Sequence, residues 1–375
     1  MKIIQIIDNL SMGGGVNSFV FDLCYALKEG GCDVSLIGIL GVGYNNNREI
    51  SKLKEKGIRV ECLYASSKKN ALLKHVFHLR NKIVSISNGE KTICNLHLKL
   101  SVLMGVVACM GIKNIKCVET YHNTYHNYYL QYLLCSSFIK KYFCVSKAAT
   151  EEMHRRFNTP YEKLVTVQNG VSRKRIREMA GLEKYQKTVG EIRVVSVGRL
   201  SNEKNFIVPI RAFVNMCNEK LTYTLVGSGV EEKKINAIAS KNKYICMTGA
   251  LSRVEALRVL SSADIVVMPS LWEGRSILQL EAMALDKPMM ISDAEGLREP
   301  FGEKALEKDE DFRVCQFGYL VKTDNPRAYM YALEHFIDHE TKMRQVSEYI
   351  KKISLDNDIS QVALKYIYGY KSIEE

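Results

Sequence analysis

The chain has 375 residues, 46% of them apolar and 25% charged, which excludes a disordered or fibrous polymer and predicts two globular domains, each able to bury its own core. Its formal charge of +12 is uneven: residues 1–175 hold 25 Lys and Arg against 12 Asp and Glu, whereas residues 176–375 hold 28 against 29. The basic excess lies in the N-terminal half, which is therefore expected to face something anionic, a lipid head group, a phosphorylated acceptor or nucleic acid.

Ile3–Ile7 reads as a parallel-type strand, Ser11–Gly15 as a glycine-rich turn, Val16–Glu29 as a helix and Asp33–Leu40 as the next strand. This β-loop-α-β order with apolar strands implies a doubly wound parallel sheet. The turn, with Gly13, Gly15 and Ser18, nearly matches a dinucleotide fingerprint, but no acid follows at the end of Asp33–Leu40 to hold a ribose, which disfavours dinucleotide binding. Lys68–Ile83 alternates basic and apolar residues, a pattern shared by outer helices of a sheet and by helices lying on a membrane surface. Thr92–Asn95 and Ile115–Glu119 read as strands. Behind the second comes a loop rich in histidine and tyrosine, from Thr120 to Tyr129, at the kind of strand end where open α/β sheets bind ligands. His122 and His126 lie there, and an exposed polar loop is the competing reading for His126. Tyr142–Val145 and Leu164–Gln168 are further strands, and polar Ser172–Gly190 reads as the domain linker.

A second strand-loop-helix series starts at Ile192–Val197 and ends in Gly198-Arg199-Leu200, followed by Lys204. Arg199 and Lys204 at a strand's C-terminal end can clamp a diphosphate. Thr222–Val226 ends in Gly227-Ser228-Gly229, and Ile245–Thr248 leads to Gly249-Ala250-Leu251, whose backbone can read a nucleobase edge. Ile265–Met268 is a buried strand followed by Trp272-Glu273-Gly274-Arg275. Ser276 and Gln279 match a capping box, so a helix is expected from Ser276 to Pro288. The amides of Ile277, Leu278 and Gln279 then form a seat for a phosphate, with Glu273 in front of it and Glu281 behind. A phosphate between two carboxylates that read hydroxyls describes a nucleotide sugar; an ordinary strand-helix junction is the alternative. Gly318–Val321 is the last strand or a hairpin, and Pro326–Ile337, Glu340–Lys352 and Gln361–Tyr370 read as helices.

Eleven cysteines contain no C-x-x-C pair and the chain opens directly on a strand, so reduced thiols in a cytosolic protein are expected. The longest uncharged run, Leu100–Ile112, is too short to span a bilayer, so membrane contact is expected to be peripheral, at the inner face of the cell membrane. Asp309-Glu310-Asp311 and Asp356-Asn357-Asp358 read as solvated surface rather than metal ligands, and no metal or other cofactor is expected.

Pro269-Ser270-Leu271-Trp272-Glu273-Gly274 through Glu281-Ala282-Met283-Ala284 resembles the E-x7-E motif of GT-B-fold retaining glycosyltransferases of family 4 (glycosyl transferases group 1). Gly198-Arg199-Leu200, Lys204-Asn205, Val226–Gly229, Asn169-Gly170-Val171, Val145-Ser146 and the turn at 13–15 fall in family order, so the resemblance covers nearly the whole chain. It implies two Rossmann-like doubly wound parallel-sheet α/β domains facing across a cleft: an acceptor-binding domain at 1–175, a donor-binding domain at 190–352, and a helix in 353–375 crossing back. Arg199 and Lys204 would bind the donor diphosphate, Glu281 the ribose and Glu273 the transferred sugar. Backbone from Gly274 through Arg275 and Ser276 to Ile277 would contact sugar and phosphate, Gly14 and Gly15 would close on the diphosphate, and His122 would lie by the sugar. Two departures stand out: Asp286 replaces the usual glycine after the helix, and Arg275-Ser276 replaces a small or Pro pair. The implied activity is metal-independent hexosyl transfer with retention, from a UDP- or GDP-sugar to a glycan or polyprenyl-diphosphate-linked acceptor, at an anionic membrane surface. A nucleotide-sugar-binding protein without catalysis is the alternative; a nucleic-acid-binding protein is disfavoured because no RNA- or DNA-binding motif is present.

Overall fold

A computed structural model describes residues 1–11, 15–41, 48–65, 75–122, 129–181, 191–216, 218–339 and 343–374. The chain forms two compact units, residues 1–170 with 359–375, and residues 171–358. Gly14, His126 and residues 68–74 of the Lys68–Ile83 segment lie outside the described residues.

In the first unit, strands β1 (Lys2–Asn9), β2 (Asp33–Leu40), β3 (Arg59–Ala65), β4 (Thr92–His97), β5 (Ile115–Tyr121), β6 (Ile139–Cys144) and β7 (Leu164–Thr166) form one parallel sheet in the order 3-2-1-4-5-6-7. The order reverses between β1 and β4, as in doubly wound folds. The helices are α1 (Gly15–Glu29), α2 (Arg48–Glu55), α3 (Val76–Ser87), α4 (Lys99–Cys109), α5 (Tyr129–Cys135) and α6 (Lys147–Phe157). Helices α3 to α6 share one core with the sheet, built on Leu79, Ile83, Met104, Cys135 and Met153.

The second unit repeats the design. It contains α7 (Arg173–Ala180), β8 (Ile192–Val197), α8 (Ile207–Met216), β9 (Leu221–Val226), α9 (Glu232–Ala239), β10 (Ile245–Gly249), α10 (Arg253–Ser262), β11 (Ile265–Met268), α11 (Ile277–Ala284), β12 (Met289–Ser292), α12 (Glu295–Arg298), β13 (Phe312–Cys315), β14 (Gly318–Val321), α13 (Pro326–Asp338) and α14 (Met343–Asp356). The sheet order is 10-9-8-11-12-14-13, with β13 antiparallel at the edge, so the last strand is half of a hairpin. Apolar strands such as Ile265–Met268, buried on both faces, are what a helix-covered parallel sheet requires.

The unit boundaries differ from the expected linker at 172–190. Residues 173–180 are helical, and α7 packs on α10 and α11 of the second unit. Arg173 explains the attachment: its Nη1 donates to the end carbonyls of α11, 3.0 Å from Ala284 O, and its Nη2 lies 2.8 Å from Asp286 Oδ2. At the far end Asp358, bridged to Val171, accepts from Arg173 N at 3.2 Å. Asn357 and Asp358 are thus half-buried fastenings of the second unit, not the solvated surface that their composition suggested.

The terminal helix α15 (Ile359–Glu374) belongs to the first unit. It lies within the expected span 353–375 and is longer at both ends than the expected Gln361–Tyr370, while α14 continues to Asp356. Its Tyr366 stacks on Phe143 with centroids 4.7 Å apart, and Tyr370 OH accepts from Asn95 Nδ2 at 2.9 Å. Gly369 fits against the Phe143 ring, where a Cβ would come within 2.6 Å.

Candidate functional site

Parallel strands place the loops that follow them on one sheet edge, and every residue singled out in the second unit follows β8, β10 or β11. The loop behind β8 is locked to its neighbour: Gly198 N donates to Val226 O and Leu200 N to Ser228 O, both at 2.9 Å. Gly227, at φ +141°, sits so close that a Cβ would lie 1.8 Å from Gly198 O. Only glycine permits that approach, which presses the β8 and β9 loops together.

A single 3-10 turn, Asn202–Lys204, then carries Lys204 to the loop behind β11, where Leu271 N donates to Glu203 O at 2.8 Å. Lys204 Nζ makes a close ion pair with Glu273 Oε1, which also accepts from Ser270 Oγ at 3.0 Å. Ser270 is itself fixed, since its carbonyl accepts from buried Ser292 Oγ. Glu273 and Gly274 rest on α12 at Gly296, where any Cβ would lie 2.0 Å from Glu273 O. The loop thus holds a carboxylate and an ammonium together at the strand edge, both largely shielded from solvent.

Arg199 is placed differently. Its side chain is 74% exposed, and the Glu203 carboxylate lies 3.9 Å away. It remains a cation at the mouth of the loops. Leu251 is half-buried, between β10 and Ser252, the N-cap of α10.

Ser276 caps α11 by accepting from Gln279 N at 3.4 Å, and Ile277 is the first helical residue. The reciprocal half of the expected capping box does not form, because Gln279 Nε2 donates instead to Leu297 O at 2.8 Å. On the same helix Glu281 Oε1 accepts from Arg253 Nε at 3.1 Å, and the Arg253 side chain is only 7% exposed. Sequence reading did not find Arg253. It belongs to no motif in the sequence, and only the packing of α10 on α11 brings it to Glu281.

Arg275 is buried. Its Nη2 donates to Asn357 Oδ1 at 2.7 Å, while Nε and Nη1 have no partner among the described residues. Burial pulls its pKa down to about 10, opposed by the nearby Glu299 carboxylate. Asp286, the departure from glycine after α11, adopts the left-handed conformation at φ +58° and receives Arg173 and Arg177, each at 2.8 Å.

In the first unit His122 follows β5, and its Nε2 lies 2.9 Å from Nδ1 of His97, the last residue of β4. His97 Nε2 is in turn 2.6 Å from Gln5 Oε1. Thr120 Oγ1 donates to Asn95 Oδ1 at 3.0 Å, so the Asn95 amide nitrogen donates to Gln5 Oε1 and to Tyr370 OH. Gln5 Oε1 is an acceptor, His97 Nε2 carries its proton, and His97 Nδ1 must accept from His122 Nε2. His122 is left with Nδ1 as a lone pair. Burial lowers its pKa to about 3, keeping the ring neutral. The Phe19 ring meets it edge-on at 5.7 Å, and Gly15 opens α1 as an exposed first residue.

Comparison with known proteins matches residues 13–175 to the model described as Glycosyltransferase Family 4 and residues 181–353 to that described as Glycosyl transferases group 1. An uncharacterized glycosyltransferase of Methanocaldococcus jannaschii is 30% identical over 41% of this chain and 43% of its own length, so the match spans less than half of that relative. Among solved structures, a glycosyltransferase of Rickettsia africae superposes with a TM-score of 0.76 at 16% identity, covering 100% of this chain and 98% of that one. Anabaena HepE in complex with UDP and glucose superposes at 0.74 and 16%, covering 99% and 100%. With two family models lying end to end across two doubly wound sheets, the chain belongs to the GT-B-fold glycosyltransferases of group 1.

Proposed function

We propose that the chain is a retaining glycosyltransferase that moves a hexose from a UDP- or GDP-sugar to a glycan or polyprenyl-diphosphate-linked acceptor in surface polysaccharide or glycolipid synthesis, at the inner face of the cell membrane. The carrying observation is the Lys204–Glu273 pair, set by Ser270 at the edge where the β8 and β11 loops join and beside the amide end of α11. A diphosphate takes Lys204 and the amides of Ser276 and Ile277, with Arg199 swinging in from solvent; the displaced Glu273 carboxylate then accepts from sugar hydroxyls. Glu281, held by Arg253, accepts from the ribose hydroxyls, and Leu251 borders the base. The HepE complex with UDP and glucose supports this choice of ligand class.

In the reaction the bond between the anomeric carbon and the phosphate oxygen breaks, and the acceptor oxygen bonds to that carbon on the same face. The acceptor proton passes to the departing phosphate oxygen. Lys204, Arg199 and the helix amides stabilise the charge gathering on the nucleoside diphosphate, which is electrostatic work that calls on no metal. Within the first unit, His122 presents a neutral ring nitrogen able to accept from a hydroxyl, and that unit carries the basic surplus suited to an anionic acceptor.

The test is a panel of UDP- and GDP-sugars, scored for thermal stabilisation and for hydrolysis or transfer. Stabilisation and turnover by one donor, lost in Lys204→Ala and Glu281→Ala, is expected. Full activity in both variants sinks the assignment, and stabilisation without turnover selects the non-catalytic nucleotide-sugar-binding alternative.

A further inference from the structure

Helices α3, α4 and α5 lie side by side on one face of the first sheet, α4 in the middle. Arg80 of α3 binds the end of α4, its Nη1 2.9 Å from Ala108 O and 2.7 Å from Met110 O. Each helix buries one apolar stripe and exposes another. Leu79, Ile83 and Ile86 of α3 face the core, whereas Phe77 is 77% exposed and Val84, one heptad on, points outward. On α4 the exposed residues are Lys99 and Val107, followed by Met110, with half-buried Leu103 between them packed on the core. On α5 they are Tyr129, Leu130, Leu133 and Leu134, followed by Phe138, with Leu130 68% exposed. Apolar residues on the outside of three neighbouring helices form a patch of the kind that marks an interaction surface.

Charge identifies what meets it. From Lys91 to Thr150 there are seven lysines and one acid, Glu119, which is buried. None of α3, α4 or α5 carries an Asp or Glu. Lys99, Lys113 and Lys140 are exposed around the apolar rows. A two-fold pairing of this face with a second copy would set lysines against lysines, with no acid on the face to answer them. An anionic bilayer answers both features: its acyl boundary takes Phe77, Leu130, Leu133 and Leu134, and its phosphates take the lysines.

We propose that the outer face of α3, α4 and α5 docks on an anionic lipid surface, resting in the interface without spanning it. No helix among the described residues is long and apolar enough to cross a membrane. The inference builds on the lipid-linked acceptor proposed above and extends the surface from the described end of the Lys68–Ile83 segment, which carries Phe77, to the outward residues of α4 and α5.

The test is co-sedimentation of the full chain with phosphatidylcholine vesicles, with and without phosphatidylglycerol. Binding only to the anionic vesicles, weakened by salt, is expected. A Leu130→Gln, Leu133→Gln, Leu134→Gln variant should lose at least about tenfold in partitioning. Lys99→Ala, Lys113→Ala and Lys140→Ala should each lose about fivefold. Donor hydrolysis by the same preparations should stay within about twofold of the parent, showing that the variants are folded and separating this surface from the donor site. Failure to bind vesicles, equal binding to neutral vesicles, or undiminished binding by the variants overturns the proposal. So does a solution dimer that the leucine variant dissociates while vesicle binding is unchanged. If vesicle binding holds and the parent hydrolyses no donor, the lipid surface stands and the transferase reading falls.

Discussion

His122 Nε2 donates to His97 Nδ1 across 2.9 Å, and a buried amide network running back through Gln5 and Asn95 to Thr120 fixes the direction of that bond. His97 touches no ligand in this arrangement. It is a positioning residue that decides which nitrogen of His122 faces outward. Losing one orienting hydrogen bond costs about 1 kcal/mol, or about fivefold in kcat/KM. His97→Phe is therefore expected to lower kcat/KM for donor turnover by about that factor or more, with nucleotide binding unchanged by calorimetry. Parent-like kcat/KM in this variant would refute the positioning role.

The same pair predicts a pH dependence of stability. Burial holds His97 well below its ordinary pKa and His122 at about 3, whereas in the unfolded chain both titrate near 6.5. The unfolded state therefore binds more protons as pH falls, and stability present above about 6.5 is lost below it. Each imidazole contributes a slope of about 1.4 kcal/mol per pH unit well below 6.5. Most carboxylates titrate under pH 5, so denaturant unfolding between pH 6.5 and 5 isolates the effect. His97→Gln with His122→Gln should flatten that slope; an unchanged slope would mean that other groups cause it.

The Lys204–Glu273 pair has opposite consequences for its two members. If a diphosphate recruits Lys204, Glu273 competes with it for the same ammonium. Lys204→Ala removes a charge-assisted bond to phosphate, worth about 1.5–3 kcal/mol, and should weaken UDP or GDP binding by about 10- to 150-fold. Glu273→Gln releases Lys204 and should tighten nucleoside diphosphate binding several-fold while lowering transfer. Titration calorimetry separates the two. Weaker nucleotide binding by Glu273→Gln would contradict the competition.

The architecture was legible in the sequence because parallel strands buried on both faces leave apolar runs such as Ile265–Met268, and strand-end glycines mark where loops pack closely. The cap at Ser276 and the hairpin ending at Val321 were equally local. What escaped were partners joined only by packing. Arg253 and Glu281 are 28 residues apart and meet because α10 lies on α11. His97 and Gln5 come together across adjacent strands, 92 residues apart. Helix α7 was hidden because its sequence, RKRIREMA, holds little apolar surface and docks through Arg173 instead.

Arg253 and Glu281 offer a way to separate stability from function. Breaking a buried ion pair from one side leaves an uncompensated charge and typically costs about 3–5 kcal/mol. Arg253→Met should therefore unfold at markedly lower denaturant, whereas Arg253→Met with Glu281→Leu should recover much of that loss. If Glu281 reads a ribose, the double variant should still fail to bind nucleotide. A stable double variant with parent-like nucleotide affinity would remove Glu281 from the donor site and leave it a purely structural role.

Asp286 sets backbone strain against ion pairing at one position. A non-glycine residue in the left-handed region costs about 1 kcal/mol or more, which Asp286 offsets through Arg173 and Arg177. Asp286→Ala keeps the strain and loses both partners, and should destabilise the second unit by about 2–3 kcal/mol. Asp286→Gly also loses the partners but relieves the strain, and should recover about 1 kcal/mol of that. Arg173 also holds the Ala284 and Met283 carbonyls, so Arg173→Ala should cost more than Arg177→Ala, whose side chain is more exposed. Denaturant unfolding of the four variants tests the ranking. If Asp286→Gly proves as unstable as Asp286→Ala, the left-handed backbone carries no strain there and the aspartate is retained for its arginines alone.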